Sequence, residues 1–227
     1  MNILMVITSH DKLGNSGLKT GLWLQEFAAP YFIFLDAGCN ITLASPKGEK
    51  PPIDPKSDLP ENQTTAVARY KNDDAVKKAF SHTTKLSEIK AEDFDAVYYP
   101  GGHGLLWDLA ESPTSIALLE SFYNSSKYVA LVCHAPGVLR RVTFEGEPLV
   151  KGKRVTGFTN NEEEEVHLTK IVPFLLEDEL KRLGGHFENA PNWQSFVVVD
   201  GRLITGQNAA SSEEVAQMLL KSISDGD

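Results

Sequence analysis

The feature that most constrains this chain is a series of short, nearly continuous apolar runs, several of them followed by a segment of helical period. Asn2–Thr8, Ile41–Ala44, Asp95–Pro100 and Tyr128–Val132 are such runs. Each is too short to cross a membrane and reads as a strand, and the nearly continuous apolar residues of Asn2–Thr8 and Tyr128–Val132 mark these two as buried on both faces. Helical patterns lie between them over about 18–37, 73–80, 113–123, 174–183 and 212–223. In the first, Leu24, Phe27, Tyr31, Phe34 and Leu35 share a face and Gly38 supplies the stop. Strands alternating with helices predict parallel pairing through crossover helices. The expected fold is a three-layer, flavodoxin-like α/β sandwich with a mostly parallel central sheet and helices on both faces.

Three other segments complete this plan. Arg154–Phe158 reads as a further strand, and Phe196–Val199 with Arg202–Thr205 reads as a hairpin around Asp200-Gly201. Ser211 followed three residues later by Glu214 predicts a capping box at the start of the last helix. The polar, proline-bearing stretch over about 46–72 reads as an insertion without regular structure in one domain spanning 1–227.

Composition narrows the function classes. With 31 Asp and Glu against 22 Lys and Arg, the net charge is −9, and no basic cluster offers a footprint for nucleic acid or an anionic membrane. The two cysteines, Cys39 and Cys133, are too few for a disulfide framework and belong to no zinc-ligand spacing, so a reducing, cytoplasmic setting and no metal are expected. Cys39 follows a helix stop and reads as inert structure.

In an open α/β sheet, ligands bind beyond the carboxyl ends of the strands. Two such ends carry reactive chemistry here. Tyr128–Val132 runs straight into Cys133-His134-Ala135-Pro136, a strand–nucleophile–helix turn (a nucleophile elbow) in which the positive end of a following helix favours thiolate. Against this stands the ordinary fate of a free cysteine as a small buried hydrophobe. Asp95–Pro100 meets Gly101-Gly102-His103-Gly104, whose backbone N–H groups can turn toward an oxyanion, or can form a simple tight turn. A third candidate is Glu26, one turn before Pro30, whose missing N–H leaves the residue 26 carbonyl without its helical partner. Among the run Glu162–Glu165, one acid could orient His134, and the rest read as a solvated first turn. His186-Phe187-Glu188, a His-x-Glu like that of glutamine amidotransferases, is assigned to the surface because it follows a Gly-Gly stop and precedes a short strand. His10, His82 and His167 read as structural.

Taken in order, several segments resemble the ThiJ/PfpI superfamily of the class I glutamine-amidotransferase-like fold. They are Thr20-Gly21-Leu22-Trp23-Leu24-Gln25-Glu26 with Pro30, Leu43-Ala44-Ser45-Pro46, Pro100-Gly101-Gly102-His103-Gly104, Val132-Cys133-His134-Ala135-Pro136, Thr156-Gly157-Phe158-Thr159 and Thr205-Gly206-Gln207-Asn208. The resemblance covers nearly the whole chain and points to the branch of heat-shock chaperones and glutathione-independent glyoxalase III enzymes. It implies a nucleophile at Cys133, a proton-shuttling acid at Glu26, a histidine at His134 and its acid at Glu163, with Glu162 or Glu164 one residue away. Gly101, Gly102 and His103 would bind oxyanion and substrate, the donors being the N–H groups of Gly102 and His134. The chain departs from the family where Ala135 replaces glycine and Ala209 replaces proline. The implied activity converts methylglyoxal and related 2-oxoaldehydes to 2-hydroxy acids without a cofactor, with protein deglycation as an extension. The implied partners are a small aldehyde, unfolded or glycated proteins, and a second copy in a homodimer. A holdase chaperone and a cysteine peptidase or amidase are the competing functions.

Overall fold

Residues 1–226 are described by a computed structural model. These residues form eleven strands: β1 Asn2–Val6, β2 Asn40–Ser45, β3 Thr84–Lys85, β4 Ala96–Tyr99, β5 Tyr128–Val132, β6 Thr143–Phe144, β7 Glu147–Pro148, β8 Arg154–Val155, β9 His186–Phe187, β10 Val197–Asp200 and β11 Leu203–Gly206. Seven of them form one sheet in the order β10-β11-β5-β4-β1-β2-β3. All of its pairings are parallel except the β10–β11 hairpin. β1 continues outward to β2 in one direction, and β4 continues to β5 in the other. Right-handed crossovers therefore put the connecting helices on opposite faces, and the winding reverses between β1 and β4. That reversal opens a crevice at the carboxyl ends of the central strands.

The helices are α1 Leu24–Asp36, α2 Thr65–Asn72, α3 Asp74–Ser81, α4 Pro113–Asn124, α5 Asn160–Glu165, α6 Leu176–Arg182 and α7 Ser212–Asp225. α1 packs on the sheet and against both α2 and α7, which is why it is buried nearly all round, from Leu24 and Glu26 through Phe27 to Phe34. None of the described helices is long and apolar enough to cross a membrane.

Several expectations need correction. The first helix begins at Leu24, not near Leu18, because the preceding residues make isolated bridges, Lys12 with Lys19 and Leu22 with Ile53. Leu35, placed on its apolar face, is 40% exposed. The polar stretch after Pro46 is not without regular structure: α2 lies inside it, capped by the Thr64 hydroxyl accepting from the Val67 N–H and held down by Val67 and Tyr70. Only Arg154 and Val155 of the expected strand 154–158 pair, and they do so with β9 outside the main sheet. The Ser211–Glu214 capping box does not form. Ser211 Oγ instead donates to the Asn208 side chain and accepts from the Phe196 N–H, while Glu214 takes the Ser195 hydroxyl.

Candidate active site

Cys133 follows the last residue of β5 with φ +61°, a left-handed conformation that a residue with a side chain rarely adopts. Its N–H donates to the Gly206 carbonyl, and its own carbonyl accepts from the Phe158 N–H. Both bonds fix the turn and hold the strain at the end of the strand. The next element is a 3-10 helix, Ala135–Arg141, and not the α-helix expected from the sequence. The expected stabilisation of a thiolate by a helix end is therefore weak. Burial, reinforced by neighbouring Glu26, instead pushes the Cys133 thiol well above its ordinary range. A sulfur so placed needs a base to take its proton as it reacts.

A base for that step lies alongside. Cys133 Sγ is 3.3 Å from His134 Nδ1, and His134 Nε2 is 2.6 Å from Glu163 Oε2. Burial, followed by the neighbouring His103, lowers the pKa of His134, which keeps the imidazole neutral and able to accept a proton. Burial alone would raise Glu163, but the two histidines beside it outweigh burial and hold the carboxyl well below the usual range. Of the three adjacent acids, Glu163 is thus the one that reaches His134. Glu164 is exposed and accepts from the Thr169 hydroxyl. Glu162 is fully buried and accepts from the N–H of Thr159 and Trp193 and from the side-chain amides of Gln207 and Asn208. Its bond to Thr159 is a local capping box, but the bonds that anchor Trp193, Gln207 and Asn208 join residues 31 to 46 positions away, which no local pattern encodes.

Glu26 comes from the first turn of α1 and is 1% exposed. Its Oε2 accepts from the Gly101 N–H at 2.8 Å, and its Oε1 has no oxygen or nitrogen partner. Burial raises its pKa to about 8, against the lowering by the neighbouring Cys133 thiol and the Gly101 N–H. The carbonyl of Glu26, which Pro30 cannot bond, accepts from the buried Tyr98 hydroxyl at 3.4 Å, and α1 continues through the proline. This answers the distortion expected from the sequence: a side chain from β4 supplies the missing donor.

The glycine turn divides its roles differently from the expectation. Gly101 is not an oxyanion donor, because its N–H is already given to Glu26 and its carbonyl accepts from the Trp23 N–H. Gly102 has φ +100°, and a Cβ there would lie 2.3 Å from the Gly21 carbonyl oxygen. Gly102→Ala is accordingly expected to cost about 3 kcal/mol or more, measured as a lower urea midpoint. The N–H groups of Gly102 and His134 make no hydrogen bond among the described residues, and both residues line the cavity with Cys133. His103 does not merely line the cavity. Its Nε2 lies 2.7 Å from Glu163 Oε1, and its ring sits 3.9 Å from that of His134. One carboxylate therefore serves two imidazoles.

His103, His134 and Glu163 each place a ligand-type atom within 4.8 Å of the others. The nitrogen–oxygen contacts of 2.6 and 2.7 Å are hydrogen-bond lengths, shorter than the roughly 3 Å that ligands sharing one ion would keep. His186-Phe187-Glu188 lies apart, the first two residues in β9 and the third just after it, where exposed Arg154 holds Glu188 through two hydrogen bonds of 2.7 and 2.9 Å. The cavity over Cys133 has a volume of about 470 Å³, and its wall includes Trp23, Phe158 and Trp193, together with Glu61 and Thr64 of the inserted stretch. Thr64 also donates to the Gln25 side chain, which ties that stretch to α1 next to Glu26.

The profile of the DJ-1/PfpI family matches residues 19–222. The chain belongs to the DJ-1/PfpI family. Within that family it is 28% identical to glyoxalase 3 of Candida albicans, over 96% of both chains. It is 29% identical to the glutathione-independent glyoxalase HSP31 of Saccharomyces cerevisiae, over 94% of both. The crystal structure of the Candida albicans glyoxalase III superposes with a TM-score of 0.91, at 27% identity and covering 98% of this chain and 97% of that one. The Rapid Encystment Protein of Francisella tularensis superposes at 0.93, with 37% identity and 98% coverage of both chains. The α/β architecture with its mostly parallel seven-stranded sheet is thus that of the DJ-1/PfpI fold, close to its glyoxalase III branch.

Proposed function

We propose that this protein is a glutathione-independent glyoxalase that converts methylglyoxal and related 2-oxoaldehydes to 2-hydroxy acids, with Cys133 as nucleophile. The observation that carries the reading is the buried thiol at 3.3 Å from a histidine held by an ionised glutamate, beside a second acid raised to about 8. Full-length likeness to two glutathione-independent glyoxalases supports it.

In this reading His134 Nδ1 takes the Cys133 proton as sulfur bonds to the aldehyde carbon. The N–H groups of Gly102 and His134 receive the developing oxyanion, which is then protonated to a hemithioacetal. A carboxyl with a pKa of about 8 is present in both forms near neutrality, as needed by a group that both takes and returns a proton. Glu26 removes hydrogen from the former aldehyde carbon, giving an enediol, and returns it to the former ketone carbon. The first carbon is oxidised by the same electron pair that reduces the second, so no external oxidant is required. Water then cleaves the resulting thioester, releasing the 2-hydroxy acid and restoring the thiol. The sum is one 2-oxoaldehyde plus one water to one 2-hydroxy acid.

Purified protein given methylglyoxal without glutathione is expected to form D-lactate, followed by an enzymatic D-lactate assay. Absence of lactate overturns the proposal. Release of amine from a fluorogenic peptide in its place would favour a peptidase using the same thiol.

A further inference from the structure

The cavity is much larger than methylglyoxal requires. At about 470 Å³ it falls among pockets that enclose drug-sized ligands, roughly 300–1,000 Å³. Its wall is also specialised. Trp193 adopts φ +65°, a conformation costly for a bulky side chain, and yet the residue is 47% exposed and cannot owe that position to core packing. Two carboxylates hold it there. Buried Glu162 accepts from its backbone N–H at 2.9 Å, and Glu165 accepts from its indole N–H. The ring meets Phe158 at 5.7 Å, and Phe158 lies 4.3 Å from the His134 imidazole. An aromatic wall thus runs from the surface to the base beside the nucleophile, and Trp23 adds a third aromatic ring to the lining.

The charge of the lining is equally selective. Among the described residues no Lys or Arg lines the cavity; exposed Glu61 stands in its wall, and Glu26, raised to about 8, is largely neutral near pH 7. A substrate bearing a carboxylate or phosphate would be desolvated there with no Lys or Arg to pair with.

From these observations we infer that the site is shaped for uncharged 2-oxoaldehydes whose second substituent is aryl or bulky alkyl, with Trp193 as the specificity-determining residue. The inference rests on the glyoxalase reading and adds the substrate class. A flat apolar substituent stacks on the Trp193–Phe158 wall while the aldehyde carbon stays at Cys133. The reaction is otherwise unchanged, since the substituent takes no part in bond making.

The test measures kcat/KM for methylglyoxal, a longer linear alkyl 2-oxoaldehyde, phenylglyoxal, and an alkyl analogue of matched length ending in carboxylate. The wild type is expected to favour the longer alkyl substrate over methylglyoxal by about tenfold or more, as burial of a few methylene groups implies. The carboxylate analogue should fall about tenfold below its neutral match. Because phenylglyoxal differs in intrinsic electrophilicity, its informative quantity is the phenylglyoxal to methylglyoxal ratio, compared between wild type and Trp193→Ala. That ratio should drop about tenfold in Trp193→Ala and largely recover in Trp193→Phe. It is taken within one preparation, so a partly folded variant lowers both constants alike. Equal constants across the neutral series, or a ratio unchanged in Trp193→Ala, overturn the inference while leaving methylglyoxal turnover intact. Failure to consume any 2-oxoaldehyde overturns the glyoxalase reading itself and this inference with it.

Discussion

Cys133→Ala is expected to lower kcat/KM for methylglyoxal by at least about 10⁴-fold, the scale on which covalent catalysis fails when its nucleophile is removed. His134→Ala and the double variant should lose no more than this, because sulfur and imidazole act in one step and their losses do not add. The measurement is lactate formation in each variant, with thermal melts to show that the fold persists. Removing the small Cys133 sulfur should leave the melt close to wild type, whereas His134→Ala takes a partner from buried Glu163 and should lower it. Residual turnover in Cys133→Ala within tenfold of wild type would exclude covalent chemistry at this sulfur.

The second large effect concerns Glu26 and appears in stability as well as activity. Burial raises this carboxyl from 4.5 to about 8 in the folded protein. A group whose folded pKa lies above its unfolded one contributes fully to stability below about pH 4.5, and the contribution is lost as pH rises to about 8. Over that window the unfolded chain ionises readily while the folded protein resists. The difference corresponds to about 4–5 kcal/mol at its full extent, as an order of magnitude. Glu26→Gln keeps the shape and an oxygen for the Gly101 N–H but cannot ionise. It should match the wild type near pH 4.5 and exceed it by several kcal/mol at pH 8 and above, in urea titrations at the two values. It should also lose lactate formation, since an amide cannot carry the proton between carbons. Equal stability at high pH would mean that the carboxyl ionises freely in the folded state.

Much of this site was legible because its parts sit at boundaries the sequence marks. The run Tyr128–Val132 ends at Cys133 and the run before Pro100 ends at glycines, so both strand ends announced themselves. Pro30 likewise pointed to an unpaired carbonyl at Glu26, although the donor that meets it, Tyr98, belongs to another strand. The features that stayed hidden were set by tertiary contact. The sequence alone suggested a helix dipole acting on Cys133, but the turn became a 3-10 helix and burial prevailed. The sharing of Glu163 by His103 and His134 joins residues 60 and 29 positions apart, which no local pattern encodes. α2 was masked by the polar residues around it, since its two buried anchors, Val67 and Tyr70, are sparse for a helix.

Glu162 and Glu163 are neighbours in the first turn of α5, yet one fastens the backbone of Trp193 and the other holds His134. A short rigid helix thereby joins the part of the site that would recognise a substituent to the part that would move protons. A shift of α5 large enough to reshape the wall would also disturb the imidazole. In an evolving or engineered lineage, substrate range and turnover would consequently drift together, and variants selected for a new aldehyde should carry compensating changes around Thr159 and Asn208, the partners that fix Glu162.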